Sequence, residues 1–492
     1  MYYVKLKNII ITAVGAIFFA PTIVSAQTNP FMAEYEAFRK AAQANYEDFR
    51  SKCNAEYAEF VRKAWKEYKS LPSLAWPKDE TVPPVVIQDK DKARPIRDNQ
   101  VTIENVVTPI IKENQPKPVA PIRENKDAEE RQFAFSYMGT ACHVRVPEDL
   151  NLHVQGYSNE SVAEAWNTLA TDKMDNTIRD FLILRLQMRL CDWAYLNIID
   201  AFSKAFYGDS NEAELMTAFI YSQSGYMMRL ARSGSKLYML YGTKHYIYDK
   251  EYFLIGDVNF YKLGADVDKL EMCDYAFPQE QTLSLYIPQT PKFACQPSQQ
   301  RELAAARPGM EMTVEVNKNL IDFYNTYPSS CVEKNFMTRW AMYANTPMQE
   351  EIRKTLYPAI KSKIAGLDKV EAADRILNWV QTALVYEYDD KVWGHDRAFF
   401  AEETLYYPYC DCEDRSILYT RLVRDILGLK CILVFYPGHL ASAVCFDEAV
   451  RGDYIQYGGS RYTICDATYI GAPLGLTMPG MDNASATVIL LE

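Results

Sequence analysis

The sequence predicts an α+β protein in which one long helix precedes a middle region and a C-terminal domain. Three patterns carry that expectation. Aromatic residues recur every eleven positions from Tyr35, helix-period stretches give way to alternating strands between about 129 and 335, and the last third carries helices followed by two hairpins. With 492 residues and 48% hydrophobic content, the chain is long enough for about three domains and apolar enough to bury their cores. The 53 Lys and Arg against 64 Asp and Glu leave a net charge of -11, and no segment gathers the basic residues into a stripe that would neutralise a phosphate backbone. Nucleic acid is therefore not an expected partner.

Residues 1–26 read as a secretory signal: Lys5 and Lys7, an apolar stretch from Ile9 to Ala20, and the small residues Val24 and Ala26 before Gln27. A mature chain beginning at Gln27 has no lipid-acceptor Cys at its start. No later segment offers about 18 uninterrupted apolar residues, so the expectation is an exported protein, periplasmic or secreted, without a membrane span.

Residues 27–70 predict one long amphipathic helix. Tyr35, Tyr46, Tyr57 and Tyr68 form one row, Phe38, Phe49 and Phe60 a second, and Ala42, Cys53 and Ala64 a third. Eleven residues over three turns keep the stripe on one face, which must be buried against a partner or against the protein's own body. Between Leu71 and Pro121 lie nine of the chain's 24 prolines, so 71–128 reads as a semi-rigid linker whose apolar patches, Val85 to Ile87 and Val106 to Ile111, are able to add edge strands.

The middle region, 129–335, opens with a strand at Phe133 to Tyr137. It continues through helical stretches that include Asp180 to Phe206, and closes on the period-two strand Met310, Met312, Val314 and Val316. Offsetting it by 203 residues aligns Leu215 with Leu418, Phe219 with Leu422 and Gly225 with Gly428, a faint internal echo of the C-terminal region. Asp209 and Lys236 then fall at the Cys412 and His439 positions. The C-terminal domain, 336–492, carries a helix signal at Thr346-Pro347 with Gln349 three residues after the cap, and a second helix from Lys369.

Eleven cysteines are an odd number, so at least one thiol is unpaired. Cys431, Cys445 and Cys465 lie on adjacent expected strands and are the candidates for a bridge. There is no Cys-x-x-Cys pair, and His143, His153, His245, His395 and His439 are scattered, so neither a metal nor a cofactor is expected.

The chemistry lies in Cys410-Asp411-Cys412-Glu413-Asp414-Arg415. Leu418, Tyr419, Leu422, Val423 and Ile426 follow at helical spacing and stop at Gly428. Cys412 thus starts a helix, with Asp411 able to cap it and Asp414 at the third position. The dipole there favours a thiolate, and the adjacent acids oppose it. Two strands joined at Pro437-Gly438 bring His439 to the mouth of a hairpin, with Ala441, Ala443 and Cys445 on its face. A second hairpin, turning at Gly458-Gly459, leads to Tyr462, Ile464 and Asp466 on one face. Nucleophile on a helix, base on a strand and orienting acid on the next is the logic of a Cys-His-Asp triad.

Cys412-Glu413-Asp414, the alternating strand led by His439, and Asp466-Ala467-Thr468 resemble the transglutaminase-like superfamily, whose core is papain-like; here it would sit in an exported bacterial-type protein. Trp379 and Tyr386-Glu387-Tyr388 are similar to that family too, and the resemblance spans about 340–492. It implies a Cys412 nucleophile, a His439 base and an orienting Asp466, attacking an amide carbonyl. Cys410 stands where the family usually has Gly, and Leu440-Ala441 follows His439 where many members have Ala-Trp, which implies a different acceptor side of the cleft. The expected activity is hydrolysis or acyl transfer on peptide or glutamine-type amides through a thioester. The competing expectation is a non-catalytic scaffold with a vestigial triad.

Overall fold

The computed structural model describes residues 30–77, 82–89, 99–102, 106–107, 117–118, 122–154 and 158–492. The expected signal segment, 1–26, lies outside the described residues. Helices and sheets are mixed, as the α+β expectation requires. The chain divides between Phe49 and Arg50, and residues Arg50–Glu492 form one compact unit.

The N-terminal helix runs from Pro30 to Val61, shorter than the sequence predicts. Its C-terminal part buries Cys53, Tyr57, Ala58 and Val61, whereas Tyr46 and Phe49 are 50% and 41% exposed, so the aromatic rows are not buried along their whole length. The Phe38 side chain lies outside the described residues. Beyond the helix, Lys66–Lys69 is a strand, paired antiparallel with Lys269–Met272, and Tyr68 belongs to it rather than to the helix. An unpaired sheet edge offers this segment a full ladder of backbone hydrogen bonds, which wins over the helical phase of one tyrosine. The Tyr68 hydroxyl also donates to Asp274 at 2.8 Å.

The proline-rich stretch adds strands as its apolar patches foretell. Val85–Val86 pairs in parallel with Tyr469–Ile470, and Val106–Val107 with Val488–Ile489; Asn99–Thr102, not foreseen, pairs in parallel with Asp453–Gln456. The helix expected over Asp180 to Phe206 is two helices, Asp175–Gln187 and Asp192–Tyr207. The break falls where Arg189 takes φ 52°, a left-handed value that a helix interior does not admit. Thr346 does not start a helix. It ends the helix Met337–Asn345, its hydroxyl donating back to the Met342 carbonyl at 3.0 Å, and the next helix begins at Glu350.

Two sheets organise the compact unit. Each follows a helix, Asn211–Gln223 in the middle region and Cys412–Leu427 in the C-terminal region. Among the described residues, the strands that follow the first helix and belong to its sheet are Met228–Ser233, Lys236–Thr243, Phe253–Ile255, Val258–Lys262 and Lys269–Cys273; those that follow the second and belong to its sheet are Lys430–Tyr436, His439–Cys445, Asp453–Tyr457, Ser460–Cys465 and Thr487–Leu490, whereas His245–Ile247 and Tyr469–Ile470 pair elsewhere. Counted one to five in each set, both sheets run in the order three, four, two, one, five, with every one of these pairings antiparallel. One buried cluster extends from Cys53 through Trp166, Phe202 and Tyr241 to Trp379, Leu418 and Leu433, so the regions 129–335 and 336–492 share a core.

Candidate active site

Cys412 is the first residue of its helix because Asp411 adopts an extended N-cap conformation and accepts hydrogen bonds from the Glu413 and Asp414 amides at 3.1 and 3.4 Å. Asp414 reciprocates from the third position, accepting the Asp411 amide at 3.1 Å, which completes a capping box of acids. At the other end, Gly428 takes φ 68°, the left-handed stop that only glycine adopts without strain. The Cys412 thiol is 3% exposed. Burial pushes its pKa well above the ordinary thiol value, the charges of Asp411 and Glu413 add to this, and the Leu440 amide N–H beside the sulfur opposes it. The helix start does not make this thiol acidic: loss of solvation and two neighbouring carboxyls outweigh the dipole.

His439 begins its strand directly after the Pro437-Gly438 turn, in which Gly438 takes φ 76° and Tyr436 pairs with His439. Its face carries Ala441 and Ala443, which pack with Tyr436, Tyr462 and Ile464, as the alternation predicts. Asp466 follows the strand Ser460–Cys465, and the ladder that pairs Ser442 with Cys465 brings it beside the histidine. His439 Nε2 and Asp466 Oδ2 are 2.9 Å apart, and both side chains are almost fully buried. A carboxylate accepts, so Nε2 carries the proton and Nδ1 keeps its lone pair. That Nδ1 is buried and has no hydrogen-bond partner among the described residues. The other Asp466 oxygen accepts the Thr468 and Tyr469 amides at 2.8 and 3.2 Å, which fixes the carboxylate plane.

Cys412, His439 and Leu440 line one cavity of about 1040 Å³, together with Trp76, Trp340 and Asp389. Part of its wall is the extended segment Leu71–Pro77, held by isolated bridges from Leu71 to Tyr252 and from Leu74 to Tyr248, with the Trp76 ring stacked on Tyr248 at 4.8 Å. The Val82 amide donates to the Gly438 carbonyl at 2.9 Å, next to the histidine. The structure thus brings all three expected residues to one place. It joins His439 to Asp466 by a hydrogen bond, and it joins Cys412 to the pair through the shared cavity and not through a direct bond.

Acidic groups crowd the floor. Carboxylate oxygens of Asp389, Asp396 and Glu413 lie within 4.8 Å of one another, and so do ligand atoms of Asp411, Cys412 and Glu413. Burial and the Glu413 charge push Asp389 up to about 8. The first group already holds a protein cation, since Arg339 Nη2 lies 2.8 Å from Asp396 and 3.3 Å from Glu413. Asp411 in the second is engaged as a cap. We assign neither a metal nor a cofactor to these residues.

Four residues that the sequence reading passed over hold the site in shape. Gln381 Nε2 donates to the carbonyls of Asp466, Tyr469 and Ala472 at 2.9, 2.9 and 3.1 Å, while its Oε1 accepts the Gly471 amide at 3.1 Å, clamping the loop after the orienting acid. Arg415, buried one turn into the helix that Cys412 starts, donates to the Gln381 and Leu384 carbonyls at 3.1 and 2.8 Å. The Ser416 hydroxyl donates to the Leu440 carbonyl at 2.9 Å, tying that helix to the histidine's strand. Arg339 is the fourth. A signal existed for Gln381, a polar residue four positions after Leu377 on an apolar helix face; Arg339 lies in a helix the sequence did not announce.

The expected bridge among Cys431, Cys445 and Cys465 is absent, and all eleven cysteines are free. Alternation puts Cys445 on the sheet face opposite Cys431 and Cys465. Those two stand on strands separated by the histidine's strand, about twice the inter-strand spacing apart and beyond disulfide reach.

The equivalent helix start in the middle region bears Asn211, capped by Ser210, so the structural counterpart of Cys412 is Asn211 and not Asp209. Asn211 Oδ1 accepts the Leu237 amide at 2.9 Å, one residue into its second strand, the place from which the Leu440 amide meets the Cys412 sulfur. Lys236 leads that second strand, as His439 leads its own. No family model matches the chain, and neither a curated protein nor a solved structure matches it.

Proposed function

We propose that the chain is an exported, transglutaminase-like cysteine hydrolase or acyltransferase acting on peptide or glutamine-type amides. The observation that carries this reading is the His439–Asp466 bond of 2.9 Å, which leaves the other ring nitrogen buried and unpartnered on a residue that lines the same cavity as Cys412. The thiol proton passes to His439 Nδ1 as the sulfur bonds to the amide carbonyl carbon. The imidazolium, steadied by Asp466, returns that proton to the leaving nitrogen as the C–N bond breaks, and water releases the thioester. The Cys412 amide, one of those with no acceptor inside its helix, is the expected oxyanion donor. Because the thiol is buried and neutral, proton transfer accompanies attack. On this reading the middle region is a degenerate copy of the same fold in which Asn211 and Lys236 replace nucleophile and base.

The test is amide hydrolysis on substrates drawn from a peptide library, for the parent, Cys412→Ser and Asp466→Asn at matched folding. Asp466→Asn is expected to lower turnover by on the order of 10⁴-fold, since the amide holds the ring in the wrong tautomer. Near-parental turnover in both variants refutes the catalytic reading. One observation favours the alternative, a scaffold with a vestigial triad: no hydrogen bond links the buried Cys412 thiol to His439.

A further inference from the structure

Arg339 is a fully enclosed cation near the nucleophile. Its side chain is 0% exposed, on a helix that packs against the one carrying Cys412. Nη2 reaches both Asp396 and Glu413, the guanidinium lies 5.7 Å from the Trp340 ring centroid, and Nε and Nη1 have no hydrogen-bond partner among the described residues. A buried guanidinium with two unanswered N–H groups is an expensive arrangement, so its place calls for an electrostatic reason.

The reason lies in Glu413, which belongs to both acidic groupings: on one side its carboxylate meets Asp389, Asp396 and the guanidinium, and on the other Asp411 and the Cys412 sulfur. Resting on the reading of Cys412 as nucleophile, we propose that Arg339 is a positioning residue that holds the Glu413 carboxylate by its cation, and so governs how readily the neighbouring thiol gives up its proton. The charged and titratable groups around the sulfur are Asp411, Glu413 and Asp414 on its own helix, Tyr386 on the adjacent short strand, Asp389 and Asp396 across the cavity floor, and His439 on the sheet. The positive charges nearby are Arg415 on the same helix, Lys391 on the cavity wall and Arg339, of which Arg339 is the one bonded to Glu413. Removing it takes one positive charge from a cluster in which burial already pushes Asp411, Glu413 and Asp414 well above the ordinary carboxylate range, and a developing thiolate meets the less favourable field at close range.

The experiment follows carbamidomethylation of Cys412 by iodoacetamide in the full chain, mapped by mass spectrometry from about pH 5 to 10, for the parent, Arg339→Met, Arg339→Lys, Glu413→Gln and Arg339→Met/Glu413→Gln. Arg339→Met is expected to move the reactivity midpoint up by at least about one pH unit, a tenfold loss of rate below it. Arg339→Lys should lie between, and adding Glu413→Gln should return the midpoint toward the parent's. Glu413→Gln alone should lower the midpoint, which serves as the test if Arg339→Met does not fold. A reactive parent whose midpoint none of these variants moves overturns the role of Arg339 and leaves the nucleophile reading standing. A shift that Glu413→Gln does not reverse overturns the route through Glu413. A parent whose Cys412 is unreactive at every pH removes both.

Discussion

At the level of single residues, the site depends on what each buried polar atom is bonded to. Asp466 spends one oxygen on two backbone amides and the other on His439, so the imidazole has one orientation and one tautomer. Gln381 is the anchor behind this arrangement. Replacing it with Leu removes its donations to three carbonyls, of which only that of Tyr469 keeps the Ala472 amide, and its acceptance from the Gly471 amide, and is expected to cost about 2–4 kcal/mol and to loosen Asp466; thermal unfolding of Gln381→Leu beside Gln381→Glu checks this. Cys412, His439 and Asp466 could be located in the sequence because they sit at element boundaries that sequence marks well: an acidic cap, a Pro-Gly turn and the end of an alternating strand. The carboxyl cluster and Arg339 could not, because Asp389 opens a helix of only four residues, Asp396 comes from an irregular stretch and Arg339 from a helix without a cap signal. At Cys412 local sequence reports the helix dipole and the neighbouring acids but not the burial that raises the thiol pKa most.

At the level of elements, the helix Pro30–Val61 separates periodicity from burial. The eleven-residue repeat points to a helix, but a repeat cannot say which of its residues are buried. The Tyr57 ring lies 4.3 Å from that of Trp166 and stacks 4.8 Å from that of Phe277 and is 1% exposed, whereas Phe49 is 41% exposed. Tyr57→Ala is therefore expected to cost about 3–5 kcal/mol and Phe49→Ser less than about 0.5 kcal/mol, measured by denaturant unfolding. Tyr57→Phe should be close to neutral, because the hydroxyl has no partner among the described residues. Similar destabilisation by Phe49→Ser and Tyr57→Ala would contradict this picture. The edge strands from the proline-rich stretch show the same limit: two were legible as apolar patches, but their sheet partners, hundreds of residues away, were not.

At the level of the whole molecule, buried acids make stability depend on pH in a definite sense. Burial pushes Glu402 and Glu403 up to about 7 and Asp389 up to about 8. A carboxyl raised in the folded state keeps its proton where the unfolded chain has released it. The stability it contributes is complete below the ordinary carboxylate range, near about 4, and is lost as pH rises to about 7 or 8. The melting temperature is expected to be higher near about pH 5 than near about pH 8, and Glu402→Gln should flatten that slope; an unchanged slope would place the dependence elsewhere. The shared strand order of the two sheets was foreshadowed only by a 203-residue echo, since topology is conserved in pairing and not in residue identity. The most direct test of the central claim, that Cys412 and His439 form a working pair, is the rate at which iodoacetamide modifies Cys412 at about pH 7 in the parent and in His439→Ala, with every labelled cysteine mapped. The account predicts modification of Cys412 despite its burial, slowed at least about tenfold without the imidazole. Label confined to the exposed Cys295, or an equal Cys412 rate in both proteins, would contradict it.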